Sequence, residues 1–364
     1  MALPHVLPLL LLLPFTPGYV SATKYNLARD YSGANFFNGW KFYGAADNLT
    51  NGDAFFANKS LATTSRLAYV DSNTKRAIIK VDNTSTVAYN EKRNSVRIST
   101  EDLYPVGSVW VTDMYHVPYG CSVWPAWWSQ APAWPSGGEI DTFEGVNQVT
   151  QNQMALHTST GCNQVSPVQS STQISSTNCS SLANSNQGCV TKDPDPKSYG
   201  AAFANAGGGV FVTELAETGV SIWFFTRASV PSSLSSNSSS IDTSSLGTPV
   251  ANYPSGGCSI DKFFSPQSLI FDITLCGDLA RPTFNETCTG TRENSCYLDV
   301  VLGPASGYDN AYFDISYVRV YGSGSSSSSS SSGNSAVGMS VAQTKGLVCA
   351  VALAAIQFAL AFGL

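Results

Sequence analysis

The sequence predicts a single all-β domain, and three features of the chain indicate it. The 364 residues are 43% hydrophobic and only 12% charged. That is enough for one large core, and all-β sandwiches commonly reach this size as one domain. The 30 Gly and 18 Pro, with frequent Asn and Ser, are typical of many strands joined by turns. Outside the two ends, no long stretch shows the apolar period of an amphipathic helix.

The N-terminal 22 residues have the pattern of a secretory signal peptide. An apolar run from Val6 to Phe15 is followed by Val20-Ser21-Ala22, which suits cleavage after small residues. The segment before the run lacks Lys and Arg, which such leaders usually carry. We expect residues 1–22 to be removed and residues 23–322 to form the folded domain.

The C-terminal end predicts a stalk followed by a lipid-anchor signal. Residues 323–334 are almost entirely Ser and Gly, a composition that cannot build a core and indicates a flexible, O-glycosylated stalk. Residues 335–364 continue with a polar spacer to Lys345 and an apolar tail. This order is typical of a glycosylphosphatidylinositol (GPI) signal, with attachment predicted at Asn334 and removal of the tail. A retained transmembrane helix is the alternative, but nothing basic follows the tail.

Cysteines and glycosylation sequons also indicate secretion. Of nine cysteines, Cys349 lies in the C-terminal tail, and the remaining eight are expected to form four disulfides whose connectivity stays open. These eight are Cys121, Cys162, Cys179, Cys189, Cys258, Cys276, Cys288 and Cys296. Asn-x-Ser/Thr sequons occur at Asn48, Asn58, Asn83, Asn178, Asn237 and Asn285.

Charge and motif content exclude several function classes. After loss of Lys345 the mature chain has 18 Lys and Arg against 25 acids, a net charge of −7. A nucleic-acid partner would need basic patches, so a neutral polymer fits better. Only His116 and His157 remain after signal removal and no C-x-x-C occurs, which argues against zinc. Serine-hydrolase and nucleotide-binding motifs are absent from the sequence.

The segment 138–147 is predicted to form a strand, and six consecutive residues of it include three acids: Glu139, Asp141 and Glu144. Side chains alternate across a strand, so Glu139 and Asp141 share a face and Glu144 should point to the other. One extra residue taken up as a β-bulge near residues 142–143 would return Glu144 to the first face, and bulges are frequent beside active sites. We therefore expect three acids along one wall.

Acids this close cannot all ionise freely, so the pKa of at least one should rise. A retaining glycosidase needs such a pair: an ionised carboxylate attacks the anomeric carbon and a protonated one, roughly 5–5.5 Å away, protonates the leaving oxygen. We predict that Glu139 is the nucleophile, Glu144 the general acid/base, and Asp141 the group that holds and tunes Glu139. Taken alone, the spacing also fits a solvated acidic edge strand or a calcium site.

Tryptophans are concentrated beside these acids. Four of the seven Trp lie within about twenty residues of them, in WPAWW and WPSGG. Flat aromatic rings stack on the C–H faces of sugars, whereas a plain core rarely concentrates Trp beside charge. We expect two of the four to contact substrate, with Trp124, Trp128 and Trp134 as candidates.

Taken together, these segments closely resemble the fungal endo-β-1,3(4)-glucanases of glycoside hydrolase family 16, in their laminarinase-like branch. The resemblance extends from Tyr31 to Tyr321. Its motifs are NSVRI (94–98), WPAWW (124–128), GGEIDTFEGVN (137–147), QMALHTS (153–159), SYG (198–200), WFFTR (223–227), LCGD (275–278) and FDISYVRVY (313–321).

The resemblance implies a β-jelly-roll sandwich of two antiparallel sheets, with an open substrate cleft on the concave face. It also implies retaining chemistry on Glu139 and Glu144. His157 matches a family histidine beside the acids, although a hydrogen-bonded histidine on the next strand fits equally. Arg97 and Asn147, in the matching motifs, complete the predicted substrate-binding set. We expect a monomer that requires no cofactor, and the resemblance allows a structural calcium remote from the cleft.

Three functions are compatible with these features. The leading one is an endo-β-1,3(4)-glucanase outside the cell, held at the surface or wall only by its lipid anchor and acting on β-glucan. The second is a cell-wall transglycosylase of the same family; such members typically carry the shorter E-x-D-x-E, so the extra residue favours hydrolysis. The third is a non-catalytic glucan-binding module, whose known relatives have lost the acids that this chain keeps.

Overall fold

The computed structural model describes residues 24–234, 238–289 and 293–323. These ranges consist mainly of strands, as the sequence predicts. The strands are β1 (Lys24–Ser32), β2 (Trp40–Phe42), β3 (Ala54–Phe56), β4 (Ala68–Val70), β5 (Ala77–Lys80), β6 (Arg93–Ser95), β7 (Arg97–Thr100), β8 (Ser108–His116), β9 (Val123–Gln130), β10 (Glu139–Glu144), β11 (Gln153–His157), β12 (Cys189–Lys192), β13 (Gly209–Ala216), β14 (Gly219–Thr226), β15 (Ser240–Asp242), β16 (Ala251–Pro254), β17 (Ser268–Leu275) and β18 (Tyr312–Ser323).

The described helices are short and lie between strands. They are α1 (Lys59–Thr64), α2 (Gly200–Asn205), α3 (Ile260–Phe263), α4 (Gly277–Ala280) and α5 (Phe284–Thr287), accompanied by several 3₁₀ turns and a π-helical segment, Cys296–Val301. Within the described ranges, no helix has the length and apolar character needed to cross a membrane.

Two large antiparallel sheets form the domain. One has the strand order β12-β11-β10-β9-β17-β7-β2. The other has the order β15-β1-β18-β8-β13-β14-β16, with β5 added to β18 and β4 to β5. A short parallel pair, β3 and β6, stands apart from both. This jelly-roll-like arrangement confirms the predicted fold class.

The core lies between the two sheets and is rich in aromatic rings. Ile140 and Phe143 of β10 are fully buried. The Phe143 ring centroid lies 5.6 Å from that of Phe211 on β13 and 6.0 Å from that of Phe313 on β18, both in the opposite sheet. Because strand side chains alternate, the other face of β10 is turned away from this core and is free to carry a site.

Four disulfides join all eight cysteines of the described residues, which confirms the predicted number. The structure resolves the connectivity that the sequence leaves open. The pairs are Cys121–Cys288, Cys162–Cys258, Cys179–Cys189 and Cys276–Cys296.

Five of the six sequons lie in the described residues. Asn48, Asn58, Asn178 and Asn285 are exposed and Asn83 is partly buried. The Asn58 Oδ1 also caps α1 by accepting the Leu61 N–H at 2.9 Å. The signal peptide, the sequon at Asn237, most of the serine stalk, the attachment site at Asn334 and the apolar tail lie outside the described residues.

Candidate active site

A β-bulge interrupts β10 where the sequence predicts one. Against β11, Asp141 pairs with Ala155 and Glu144 pairs with Gln153, so three steps on one strand match two on the other. The register with β9 shifts at the same place. The extra residue leaves Thr142 buried between the sheets, where its Oγ1 lies 2.6 Å from the Oγ1 of Thr213 on β13. The bulge therefore changes which face the next acid occupies.

Glu144 emerges from the bulge on the same face as the other two acids. Its Oε1 accepts a hydrogen bond from Trp124 Nε1 at 2.9 Å, and its Oε2 accepts one from Gln153 Nε2 at 2.6 Å. The side chains of Glu139 and Asp141 lie near enough to Glu144 that its charge raises the pKa of both. Three carboxyl groups thus line one wall, as expected.

Asp141 is strongly biased towards its protonated form. It is almost completely buried, and this burial, reinforced by the charges of Glu139 and Glu144, raises its pKa well above the ordinary value. Burial also raises the pKa of Glu139, but His157 and the Trp134 N–H oppose that rise. Asp141 and Glu139 share a hydrogen bond. Protonated Asp141 can donate a hydrogen bond to Glu139, which stabilises Glu139 as the carboxylate.

His157 lies opposite Glu139 in the β10–β11 pair. Its Nε2 is 3.4 Å from Asp141 Oδ2, and its Nδ1 is 3.1 Å from Asn186 Oδ1. Glu139, Asp141 and His157 each place a ligand atom within 4.8 Å of the others, a spacing that could accommodate a cation. These side chains contact one another and Trp134, so the protein itself accounts for their proximity.

The four tryptophans beside the acids divide between the two faces of the sheet. Trp124 and Trp128 lie on the acid-bearing face of β9, and Trp134, 44% exposed, donates its Nε1–H to Glu139. Trp127 is fully buried, and its ring stacks on Phe271 at 4.2 Å. Alternation along β9 thus separates Trp124 and Trp128 from the core residue Trp127, and Trp134, between β9 and β10, is the third possible sugar platform.

Arg97 and Asp272 extend this wall across two further strands. Asp272 on β17 accepts Trp128 Nε1–H at 2.6 Å, and its Oδ1 lies 3.7 Å from Arg97 Nη1 on β7. The Arg97 guanidinium is 4.9 Å from the centre of the Trp128 ring. Burial raises the pKa of Asp272 to about 6, although Arg97 and Trp128 stabilise its ionised form.

The structure corrects the prediction for Asn147. Its side chain is fully buried, with Oδ1 accepting the Ser122 N–H at 3.0 Å and Nδ2 donating to the Ala280 carbonyl at 2.8 Å. An amide engaged on both sides by backbone has no atom left for substrate. Asn147 therefore ties loops together beneath the site, and its place in a matching motif reflects packing.

Sequence reasoning missed three side chains of this site. Gln153 bonds Glu144, Asp272 holds Trp128, and Asn152 bonds the backbone of the bulge. Asp272 could have been recognised from the sequence, because it is the only charged residue of the apolar strand SLIFDITL. Gln153 and Asn152 are common polar residues beside a strand, and nothing in their spacing marks them.

Comparison with known proteins identifies the family. A profile described as the XgeA-like catalytic domain of glycoside hydrolase family 16 matches residues 40–321. The chain belongs to glycoside hydrolase family 16. This confirms the resemblance and the enzyme class predicted from the sequence.

Curated relatives agree with this placement. A probable glycosidase of Schizosaccharomyces pombe is 36% identical over 84% of this chain and 71% of its own length. A probable endo-1,3(4)-beta-glucanase of Neosartorya fischeri is 39% identical over 83% of this chain and 46% of its own. The chain thus spans about half the length of that glucanase.

Among solved structures, laminarinase 16A from Phanerochaete chrysosporium, with β-glucans in its donor and acceptor sites, has a TM-score of 0.77 and 35% identity. The match covers 82% of this chain and 99% of the laminarinase. An elongating family 16 β-1,3-glucosyltransferase has a TM-score of 0.75 and 35% identity, over 82% of this chain and 99% of its own.

Proposed function

We propose that this family 16 protein is a retaining endo-β-1,3(4)-glucanase that cuts internal bonds of laminarin-type or mixed-linkage β-glucan. The observation that carries the proposal is the bulge in β10, which brings Glu139 and Glu144 to one face beside the indole rings of Trp124, Trp128 and Trp134. The names of the relatives support the substrate class. The scheme uses only side chains of the protein and no cofactor.

The proposed reaction is a double displacement. A Glu139 carboxylate oxygen attacks the anomeric carbon, the glycosidic C–O bond breaks, and Glu144 gives its proton to the departing oxygen. Glu144 then takes a proton from water, whose oxygen attacks the same carbon and releases Glu139. Asp141 holds its proton and donates a hydrogen bond to Glu139, which makes that carboxylate a better leaving group in the second step.

Product analysis tests this proposal. The recombinant chain is incubated with laminarin and with mixed-linkage glucan, and oligosaccharides are followed by chromatography while NMR follows the first anomer formed. We expect internal cleavage of at least one polymer, with the β-anomer appearing first. An α-anomer would contradict the double displacement, and binding without cleavage would indicate a glucan-binding module instead.

A second candidate function is transglycosylation, in which a sugar hydroxyl replaces water in the second step. The likeness to an elongating glucosyltransferase favours it. Products longer than the starting oligosaccharide at millimolar laminari-oligosaccharide would show transfer. Products that are only shorter, over the whole time course, would support hydrolysis.

We also propose that the mature protein is a secreted monomer held at the cell surface or wall by a GPI anchor. The apolar leader, the serine stalk and the apolar tail of the sequence support this placement. Phosphatidylinositol-specific phospholipase C should release the protein from membranes, and a chain ending at residue 322 should be secreted in active form. Retention of the protein after lipase treatment would argue for a transmembrane tail.

A further inference from the structure

The bulge in β10 leaves backbone groups that the sheet does not pair, and one side chain satisfies two of them. Between Asp141 and Glu144 the ladder with β11 is interrupted. Asn152, the residue immediately before β11, reaches across this gap: its Oδ1 accepts the Glu144 N–H at 2.9 Å, and its Nδ2 donates to the Thr142 carbonyl at 3.0 Å. A carboxamide offers the same acceptor and donor as a peptide group, so Asn152 replaces the missing partner.

Asn152 is itself held rigidly. Its side chain is fully buried, its N–H donates to Ser198 Oγ at 3.0 Å, and its carbonyl accepts the Asp193 N–H at 2.9 Å. Ser198 Oγ donates onward to the Asp195 carbonyl at 2.6 Å. The carboxamide therefore has little freedom to move away from the bulge.

Tyr199, the residue after Ser198, packs against the bulge and the glycine that follows it. The ring of Tyr199 stacks on Phe143, the second residue of the bulge, at 5.2 Å between centroids. It also lies directly over Gly145, where an added Cβ would come within 2.4 Å of the ring. The motif Ser198-Tyr199-Gly200 has no part in the proposed chemistry, but its first two residues hold Asn152 and pack against the bulge.

We propose that Asn152 is the positioning residue for the general acid/base. Its buried carboxamide does not face the substrate; it fixes the backbone from Thr142 to Glu144 in the bulged form that directs the Glu144 carboxyl to the face carrying Glu139 and Asp141. The inference rests on the proposed function, in which Glu144 protonates the leaving oxygen. Because proton transfer depends on a well-placed donor, a displacement of about 1 Å costs roughly a hundredfold in rate.

The test compares two leaving groups in Asn152→Ala and Asn152→Asp. Laminarin needs a proton on its departing oxygen, whereas a 2,4-dinitrophenyl β-laminaribioside does not in the first step. We expect kcat/KM for laminarin to fall about a hundredfold and that for the aryl substrate less than tenfold, with a smaller effect on KM than on kcat. Added azide should accelerate turnover of the aryl substrate. Asn152→Asp keeps the acceptor but turns a second oxygen towards the Thr142 carbonyl. It should show the same larger fall in kcat/KM for laminarin than for the aryl substrate.

A matched control separates positioning from general loss of packing. Asn147 is equally buried and its amide also bonds backbone on both sides, but its side-chain hydrogen bonds go to residues 122, 280 and 283 and not to the segment from Thr142 to Glu144. Asn147→Ala should lower the unfolding temperature while leaving the ratio of the two kcat/KM values as in wild type. If Asn152→Ala and Asn152→Asp also kept the wild-type ratio, the positioning role would be wrong.

Glu144→Ala, measured in parallel, distinguishes a failure of the positioning role of Asn152 from a failure of the acid/base role of Glu144. A strong dependence on leaving group in Glu144→Ala together with none in the Asn152 variants overturns the positioning role alone. No such dependence in Glu144→Ala overturns the acid/base assignment, and the proposed function with it.

Discussion

At Asp141 the fold buries a carboxyl group that water would keep ionised. Its neighbours are two further acids and His157, and burial raises its pKa well above the ordinary value. Glu144, by contrast, accepts hydrogen bonds from Trp124 and Gln153 on its two oxygens. The residues thus divide their roles through their surroundings, although all three are carboxylic acids.

Replacing the nucleophile should abolish the covalent route. Glu139→Gln keeps the shape of the side chain but cannot attack carbon, so kcat on laminarin should fall by several orders of magnitude while oligosaccharide binding is largely kept. Steady-state kinetics and calorimetric binding measure the two quantities. Activity above about a tenth of wild type would contradict the assignment.

Glu144→Ala should leave the nucleophile intact and remove the proton donor. The variant should be slow on glucan and should recover with azide on an activated aryl glycoside, giving a β-glycosyl azide because two inversions occur. NMR of the product identifies the anomer. An α-azide would mean that the two roles are reversed.

Asp141→Asn should stabilise the protein at neutral pH. The folded pKa of Asp141 is raised, so its contribution to the free energy of unfolding is lost as pH rises above the ordinary Asp value. Asn stays neutral and can still donate to Glu139, so activity should fall less than in Glu139→Gln. Thermal unfolding at pH 7 should show a gain that disappears near pH 4. Asp113→Asn, which strips the partner from Arg227, should show no gain; an equal gain there would argue against this explanation.

At the scale of elements, the site is a product of strand order. β17, β9, β10 and β11 are neighbours in one sheet, and their alternate residues bring Asp272, Trp128 and the acids onto one surface. The intervening residues of the same strands, such as Trp127, fill the core. Each strand therefore serves binding on one face and stability on the other.

Two tryptophans from one sequence cluster should behave oppositely when truncated. Trp134 is exposed beside Glu139, so Trp134→Ala in the Glu139→Gln background should cost about 1–3 kcal/mol in binding of long laminari-oligosaccharides, with little change in unfolding. Trp127→Ala should cost about 3–5 kcal/mol of stability. Calorimetry and denaturant unfolding measure these effects. Unchanged oligosaccharide binding by Trp134→Ala would place the sugar platform elsewhere.

At the scale of the molecule, buried titrating groups couple the fold to pH. Burial raises the pKa of Asp193 to about 7 and that of Asp272 to about 6, so both stabilise the folded state most when protonated. Burial between tyrosine rings lowers the pKa of His116 to about 4. His116 therefore destabilises the folded state as pH falls below its ordinary pKa, which opposes the effect of the two acids. The free energy of unfolding should therefore decline from mildly acidic towards neutral pH.

Asp193→Asn tests this coupling away from the acids. Asp193 is buried; among the described residues its Oδ2 has no hydrogen-bond partner, and its Oδ1 accepts the Asp195 N–H. Its folded pKa exceeds the unfolded value, so stability falls as pH rises from about 4 to 7 and is constant above. The Asn variant should have a free energy of unfolding higher by on the order of 2–4 kcal/mol at pH 8 and little changed at pH 4. The exposed Asp261→Asn is the control, and an equal gain there, or none in Asp193→Asn, would contradict the prediction.

The fold class, the family, the number of disulfides and the bulge beside the acids could all be predicted from the sequence. These follow from local regularities: composition, cysteine parity, and an odd spacing that strand alternation cannot place on one face without an extra residue. The sequence could not choose which acid keeps its proton, because burial comes from residues distant in the chain. It could not separate Trp127 from its neighbours, or recognise that Asn147 is buried and Asn152 bonds the bulge. Each of those points depends on what an opposing strand or loop places against the side chain, so the folded arrangement was needed to see them.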